Sequence, residues 1–269
     1  MASLTLEHRA VLRVGGTEGP SFLQRIVTAD LDALREGVAM PSALLSPQGK
    51  VMHEFLVSHD VDALRLDVSR AFLPDFARRL MLYRLHADVT FEPRPGATVR
   101  ALWGEDAAAG LADRRFPPGT AARAYEAGEE TGTLAEWTRL RIAHGVAEIG
   151  TDFGADSLFP HDLGMPATGG VSVRKGCFVG QEVVSRMHHR GTGRRAVATV
   201  RGEAPLPAPG TALTADGRPL GTLGGALDRD GIAVLRVDRL EEARAAGHPV
   251  LVDGVAVIVT VHDRSDRGA

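Results

Sequence analysis

The hydrophobic and polar pattern of the first hundred residues alternates between helical and extended spacing. It predicts six elements in chain order: helix 22–27, strands 39–45, 51–58 and 64–68, helix 72–83 and strand 87–91. The turn-forming sequence Ser-Pro-Gln-Gly-Lys at 46–50 joins the first two strands, as expected for a hairpin. This order predicts an α+β arrangement in which helices pack on an antiparallel or mixed sheet.

After Arg195 the pattern changes to short extended runs, and a domain boundary is predicted near 193–196. The predicted strands are 196–200, 211–214, 220–223, 232–237, 250–252 and 255–261. Asp-Gly pairs at 216–217, 230–231 and 253–254 separate several of them, and Asp-Gly is a strong hairpin signal. Regularly spaced short strands with such turns predict a small barrel or sandwich.

The middle of the chain has a weaker pattern. Residues 104–135 are rich in Ala, Gly and charged side chains and predict loops with short strands. Helical spacing returns over 136–144. Residues 145–170 have scattered Gly, Pro and Asp, which predicts an extended, ordered loop of the kind that often carries function.

Composition narrows the class of protein. The 269 residues are 44% hydrophobic and 24% charged, which is typical of a soluble globular protein. With 31 Lys and Arg against 34 Asp and Glu, the net charge of −3 excludes a globally basic nucleic-acid-binding protein. The single cysteine, Cys177, excludes an intramolecular disulfide and a cysteine cage for a metal. We expect a reducing, cytoplasmic setting, and we find neither a signal-like start nor an apolar run of about 20 residues.

Candidate reactive chemistry centres on Cys177. Arg174 and Lys175 precede it, and nearby cations favour a thiolate over a thiol. A lone cysteine is equally compatible with a small buried hydrophobic side chain. The sequence therefore offers a reactive thiol as one of two interpretations.

The residues after Cys177 suggest ligand binding. Gly176 and Gly180 allow a close backbone approach. Gln181 and Glu182 pair an amide with a carboxylate that can recognise the polar edge of a heterocycle. The basic stretch 186–195, which begins at Arg186, can attract a phosphate or a polyglutamate tail, although such a stretch is often only a solvated surface.

Residues 175–182, Lys-Gly-Cys-Phe-Val-Gly-Gln-Glu, resemble the K-G-C-[FY]-x-G-Q-E signature of the YgfZ-like family of folate-binding proteins. Arg186 and Gly191 are similar to its continuation. Further segments that resemble this family are 21–30, 43–51, 141–152 and 158–163. The resemblance covers most of the chain and is weakest over 104–135.

The resemblance implies an α+β fold of the aminomethyltransferase type. It implies a body of two related α+β halves, residues 1–100 and 101–194, and a C-terminal β-barrel at 195–269 around a central cavity. It also implies that tetrahydrofolate or a derivative binds in the cavity, and that the protein supports assembly or repair of iron–sulfur proteins. One branch of the family is associated with tRNA modification.

The resemblance also assigns site residues. It implies Cys177 and Lys175 as the reactive pair, without a resident metal. The expected folate contacts are Glu54, Asp152, Gly176, Gly180, Gln181, Glu182 and Arg186. Related aminomethyltransferases carry two acids where this chain has His53-Glu54, so one acid remains for acid–base chemistry; the alternative for Glu54 is an exposed position beside the hairpin turn. Asp152 lies where the wider superfamily places a carboxylate against the pterin ring; its alternative role is a turn residue.

Three functions follow from these residues. The first is a folate-binding accessory factor for iron–sulfur proteins, with Cys177 as nucleophile, redox group or transient partner thiol. The second is a folate-dependent one-carbon transferase that uses Glu54 or Asp152. The third is a non-enzymatic module that docks a protein or a tRNA through 186–195, and steep salt dependence would distinguish it.

Overall fold

In a computed structural model of the protein, residues 2–190 and 194–262 are described. The N-terminal body is built on a nine-stranded sheet. Its strands are β1 (Ala2–Thr5), β2 (Arg9–Gly15), β3 (Val38–Leu45), β4 (Val51–Asp60), β5 (Ala63–Ser69), β6 (Thr90–Arg94), β7 (Arg100–Trp103), β8 (Leu111–Asp113) and β9 (Ala121–Ala124). Their order in the sheet is β1-β7-β9-β8-β3-β4-β5-β2-β6. Strands from both sides of residue 100 share this sheet, and the division of the body into two halves stays a prediction.

Four helices accompany the sheet: α1 (Gly19–Gln24), α2 (Leu73–Arg84), α3 (Leu134–Ala143) and α4 (Gln181–Arg190). The predicted stripe on α2 buries Phe76 and Leu80 against the strand residues Leu12, Phe55 and Leu66, all of them at most 1% exposed. Apolar side chains on one helical face and on alternate strand positions meet in this core, which is why the pattern could be read from the sequence. The predicted strand at 87–91 begins three residues later, at Thr90.

The C-terminal part is a closed, six-stranded barrel. Its strands are β10 (Arg195–Gly202), β11 (Ala212–Ala215), β12 (Arg218–Leu227), β13 (Asp230–Arg236), β14 (Val250–Val252) and β15 (Val255–Val261). They follow the order β10-β13-β12-β11-β14-β15, and β15 pairs with β10 to close the barrel. The predicted α+β class and the C-terminal barrel are confirmed. A helix that the pattern did not predict, α5 (Val237–Ala245), follows β13 and buries Leu240.

The long segment between α3 and α4 ties the body to the barrel. The N–H of Val197 in β10 donates to the carbonyl of Asp162 over 3.0 Å, and the N–H of Gly225 in β12 donates to the Asp152 carboxylate over 2.8 Å. On the body side, the Thr28 hydroxyl donates to the carbonyl of Gly170 over 2.6 Å. This segment was predicted as an ordered loop, and these bonds fix it in place.

None of the helices in the described ranges is long and apolar enough to cross a membrane.

Candidate functional site

The loop that carries the signature is anchored by Lys175. Its side chain points into the body, where the ammonium group donates to the carbonyls of Val27 and Ala29 over 2.7 and 2.6 Å and to the Gln24 side chain over 3.3 Å. Burial lowers the pKa of Lys175 to about 8, against attraction from Asp30 and Asp32. These contacts make Lys175 an anchor of the loop, and its predicted part in the chemistry of Cys177 stays a prediction.

Cys177 lies on the outer side of the same loop. Its side chain is exposed, whereas Lys175 is 8% exposed and Phe178 is 6% exposed. The Lys175 ammonium lies 5.4 Å from the centroid of the Phe178 ring, so the two inward-facing residues also contact each other. A buried ammonium and a buried ring on either side of Cys177 therefore hold the thiol at the surface. The alternative of a buried cysteine was wrong.

Replacing Lys175 by methionine is expected to destabilise the protein by about 1–3 kcal/mol. The three oxygens that now accept from the ammonium would lose their shared donor, and a buried acceptor without a partner costs free energy of that order. Urea denaturation would measure the change. Arg174→Met is the matched control, because Arg174 is exposed beside it; equal effects of the two substitutions would contradict the anchoring role.

The signature helix begins against the β3–β4 hairpin. Gly180 has φ +78°, and a Cβ there would lie 2.8 Å from the Ser46 carbonyl oxygen and 2.9 Å from the Gly49 Cα. Gly49 has φ +81°, and its Cβ would lie 2.9 Å from the Cβ of Val183. The structure thus brings together two segments that are distant in sequence, and the predicted close approach at Gly180 is to the protein itself. A Cβ on Gly176 would meet nothing within 4 Å.

The polar residues of α4 lie at the surface. The Glu182 and Arg186 side chains are 85% and 57% exposed and form an ion pair of 2.8 Å one helical turn apart. Gln181 is half-buried at the first position of the helix. The predicted basic stretch continues through 191–193, including Gly191, which lie outside the described residues. The docking role of 186–195 stays a prediction.

Glu54 and Asp152 belong to a buried charge network instead of a ligand site. The Glu54 carboxylate lies 3.2 Å from Arg9 and 4.0 Å from Arg115. Asp152 accepts from the Arg141 guanidinium and from the N–H groups of Glu148 and Gly225, each over 2.8 Å. Both carboxylates are therefore already engaged by the protein.

Among the described residues, this network joins four arginines to five carboxylates between the sheet and α3. Its members are Arg9, Arg115, Arg123, Arg141, Glu54, Asp67, Asp113, Glu148 and Asp152, all of them at most 7% exposed. Burial disfavours the charged Glu148 carboxylate, but Arg141, His8 and Arg115 outweigh it and hold its pKa well below the usual range. Burial would also raise the pKa of Asp113, and Arg115 with Arg123 lowers it instead. Opposite charges thus keep the Glu148 and Asp113 carboxylates ionised in the interior.

The predicted folate contacts do not fit a folate as a set. A void of about 30 Å³ borders Glu54 and Arg115, which is room for about one water molecule and not for a pterin ring. Asp152 has both oxygens occupied, and Glu182 and Arg186 lie on an exposed helical face.

A much larger cavity, of about 720 Å³, lies between the loop 161–167, α4 and the barrel. The residues that line it include Asp162 and His188, which the sequence analysis did not assign to a ligand site. Sequence reasoning missed this cavity because its walls come from segments that are far apart in the chain, from His161 to His262. Within the part of the chain that the structure describes, no group of three or more His, Cys, Asp or Glu side chains is arranged to hold a metal ion.

Comparison with known proteins shows similarity in sequence to iron–sulfur cluster assembly factors. Residues 194–265 match the family model of the CAF17 C-terminal β-barrel domain. Human mitochondrial iron–sulfur cluster assembly factor IBA57 is 27% identical over 283 residues, which cover 89% of this chain and 79% of that protein. The tRNA-modifying protein YgfZ of Yersinia pseudotuberculosis is 25% identical over 245 residues, which cover 78% of this chain and 74% of YgfZ. The resemblance to the YgfZ-like family is confirmed.

The fold resemblance is confirmed independently. The glycine cleavage system aminomethyltransferase T of Bartonella henselae superposes with a TM-score of 0.68, over 97% of this chain and 85% of that chain. Its sequence identity is 15%, so this likeness concerns the fold alone.

The expected cytoplasmic setting is wrong on these comparisons. The human and mouse IBA57 relatives are mitochondrial proteins. A single cysteine is compatible with more than one reducing compartment, so it does not identify the cytoplasm.

Proposed function

We propose that this relative of IBA57 and YgfZ is an accessory factor in the assembly or repair of iron–sulfur proteins, with Cys177 as its reactive group. The similarity to IBA57 over most of both chains supports the role in iron–sulfur cluster assembly. The observation that carries the part of Cys177 is its position: an exposed thiol, fixed at the surface by the buried side chains of Lys175 and Phe178.

The chemistry of Cys177 suits a transient contact with an iron–sulfur partner. A thiolate is both a nucleophile and an iron ligand. Iron–sulfur clusters are normally held by several thiolates, so a single thiol does not hold one as a resident group. The cluster is therefore cargo of the partner protein, and Cys177 meets it or a partner thiol from outside. The exposed position permits this without unfolding of the loop.

Glu54 gives little support to the alternative of one-carbon transfer. General acid–base catalysis requires a carboxylate within reach of the substrate proton. Glu54 is 6% exposed and faces Arg9 and Arg115, beside a void with room for about one water. Asp152 is equally committed, to three donors.

Complementation tests the proposed function. The chain is expressed in cells that lack their own IBA57 or YgfZ relative, directed to the compartment where that relative acts, and the activity of an iron–sulfur enzyme such as aconitase is measured. We expect activity to be restored. The alternative of a one-carbon transferase would be favoured if the soluble, folded chain restores no enzyme activity while the purified protein turns over methylene-tetrahydrofolate.

A further inference from the structure

A second cavity lies where the loop 152–158 meets the barrel. Its volume is about 390 Å³, within the range of about 300–1,000 Å³ that small-molecule sites span. Phe153 and Leu158 supply apolar surface from the loop, and Val234 of β13 packs against the same cluster of side chains from the barrel. No residue of the Cys177 loop, 174–180, lines this cavity, so the proposed function does not account for it.

Two arginines border this cavity without an acidic partner. Arg239, in the first turn of α5, donates from its guanidinium to the carbonyl of Pro219 over 2.7 Å, and the guanidinium of Arg195 lies 3.5 Å from the carbonyl oxygen of Ser157. Because Pro219 and Ser157 both belong to the wall, these contacts place both guanidinium groups at the cavity. Neither forms an ion pair within the described ranges, although the charge of Arg195 partly offsets the rise that burial causes in the pKa of Asp162.

The other charged side chains that line the cavity are already paired. Arg236 donates to both carboxylate oxygens of Asp238, over 3.1 and 2.6 Å. The Asp152 carboxylate forms an ion pair of 2.8 Å with Arg141. The two guanidinium groups without an acidic partner therefore leave an excess of two positive charges at the cavity.

This excess of positive charge beside an apolar wall selects a ligand class. A guanidinium binds phosphate and carboxylate oxygens through parallel N–H donors, and each of these two has only one nitrogen in contact with a backbone carbonyl. A phosphate monoester carries a charge of about −1.5 to −2 at pH 7, which matches two guanidinium groups, whereas a carboxylate carries a single charge. The apolar wall suits an organic group attached to the phosphate.

We infer that this cavity binds a small phosphate monoester, whose phosphate meets Arg195 and Arg239 and whose organic group packs on Phe153 and Leu158. The inference goes beyond the proposed function and does not rest on it. The ligand would contact the body through the loop 152–158 and the barrel through β10 and α5, so it would join the two parts of the chain.

Isothermal titration calorimetry with phenyl phosphate tests the inference on the full chain. We expect saturable binding by the wild type and competition by inorganic phosphate, which shares the anionic group. Arg195→Met and Arg239→Met should each lower the affinity at least about tenfold, because each removes a set of charge-assisted hydrogen bonds. Benzoate, which keeps the ring but carries a single charge, should bind more weakly than phenyl phosphate.

Arg229→Met is the matched control. It removes the same charge from an exposed arginine at the opposite end of the β12–β13 pair, outside the cavity and without an ion pair in the described ranges. Its affinity for phenyl phosphate should match the wild type. Thermal unfolding confirms that the variants are folded, and Arg195 is exposed, so its replacement should leave the fold intact.

Four results would each overturn the inference. The first is a wild type that does not bind phenyl phosphate. The second is an equal loss of affinity in Arg195→Met and Arg229→Met, which would show a general effect of surface charge. The third is inorganic phosphate that does not compete, and the fourth is benzoate that binds as tightly as phenyl phosphate. None of these measurements involves complementation, which separately decides the iron–sulfur role.

Discussion

Replacing Cys177 by serine is expected to reduce the restored iron–sulfur enzyme activity to that of cells lacking the relative. Serine keeps the size of the side chain but removes the thiolate, which is the form that attacks electrophiles and binds iron. Cys177 is exposed, so the free energy of unfolding should change by less than about 0.5 kcal/mol. Aconitase activity in complemented cells measures the first effect, and urea denaturation of the purified variant measures the second.

Two comparisons make the result specific to the thiol. Val173→Ala shortens a half-buried side chain in the same loop while keeping the thiol, and it should leave complementation intact. Cys177→Ala should fail as Cys177→Ser does, because both lack the thiol. Full complementation by either Cys177 variant, at wild-type protein levels, would show that the similarity to IBA57 does not act through this residue.

The barrel shows how far local signals predict a fold. Asp216-Gly217 and Asp253-Gly254 form the expected turns, with positive φ at all four residues. Asp230-Gly231 does not: both residues lie in β13, and the preceding turn is centred on Asp228, at φ +54°. An Asp-Gly pair forms a turn only where the two strands that it connects end. Pairing with the neighbouring strands decides where that is.

The missed helix α5 has a similar cause. Residues 237–245 bury only Leu240 and Ala243, so their apolar stripe is short. Their pattern therefore gave little periodic signal beside the strongly extended runs around them. Only the folded structure shows this helix, because there β13 has ended and the barrel provides a surface against which Leu240 is buried.

The candidate site residues show the same limit. Cys177 stays a predicted reactive residue, chosen because Arg174 and Lys175 precede it in sequence, and the same closeness in sequence suggested Lys175 as its chemical partner. The position of the Lys175 ammonium depends on Val27 and Ala29, which are far away in the chain and which the spacing around Cys177 does not contain. The resemblance placed the Asp152 carboxylate at the pterin edge, and only the folded chain shows that this carboxylate accepts from Arg141, Glu148 and Gly225.

Arg9→Met is expected to lower the free energy of unfolding by about 3–5 kcal/mol, because removing one partner of a buried ion pair leaves uncompensated charge in the interior. Arg9 is 1% exposed and donates to the Asp67 carboxylate and carbonyl, each over 2.6 Å, and to Glu54 over 3.2 Å. Burial alone would lower the pKa of Arg9, but Asp67 and Glu54 raise it above its ordinary value, so the side chain stays charged. Methionine keeps the apolar stem and removes all three bonds. Urea denaturation at neutral pH measures the loss.

The size of this effect depends on burial, and the chain contains an exposed pair for comparison. Arg139 and Asp228 form an ion pair of 2.9 Å with side chains 56% and 69% exposed, so Arg139→Met should change stability by less than about 1 kcal/mol. Glu54→Gln should cost less in the Arg9→Met background than in the wild type, because the Glu54 carboxylate has by then lost the nearer of its two arginines. Equal costs in both backgrounds, or an Arg9→Met effect as small as that of Arg139→Met, would mean that the network does not hold the body together. In that case the engagement of Glu54 would no longer argue against its use as an acid or base.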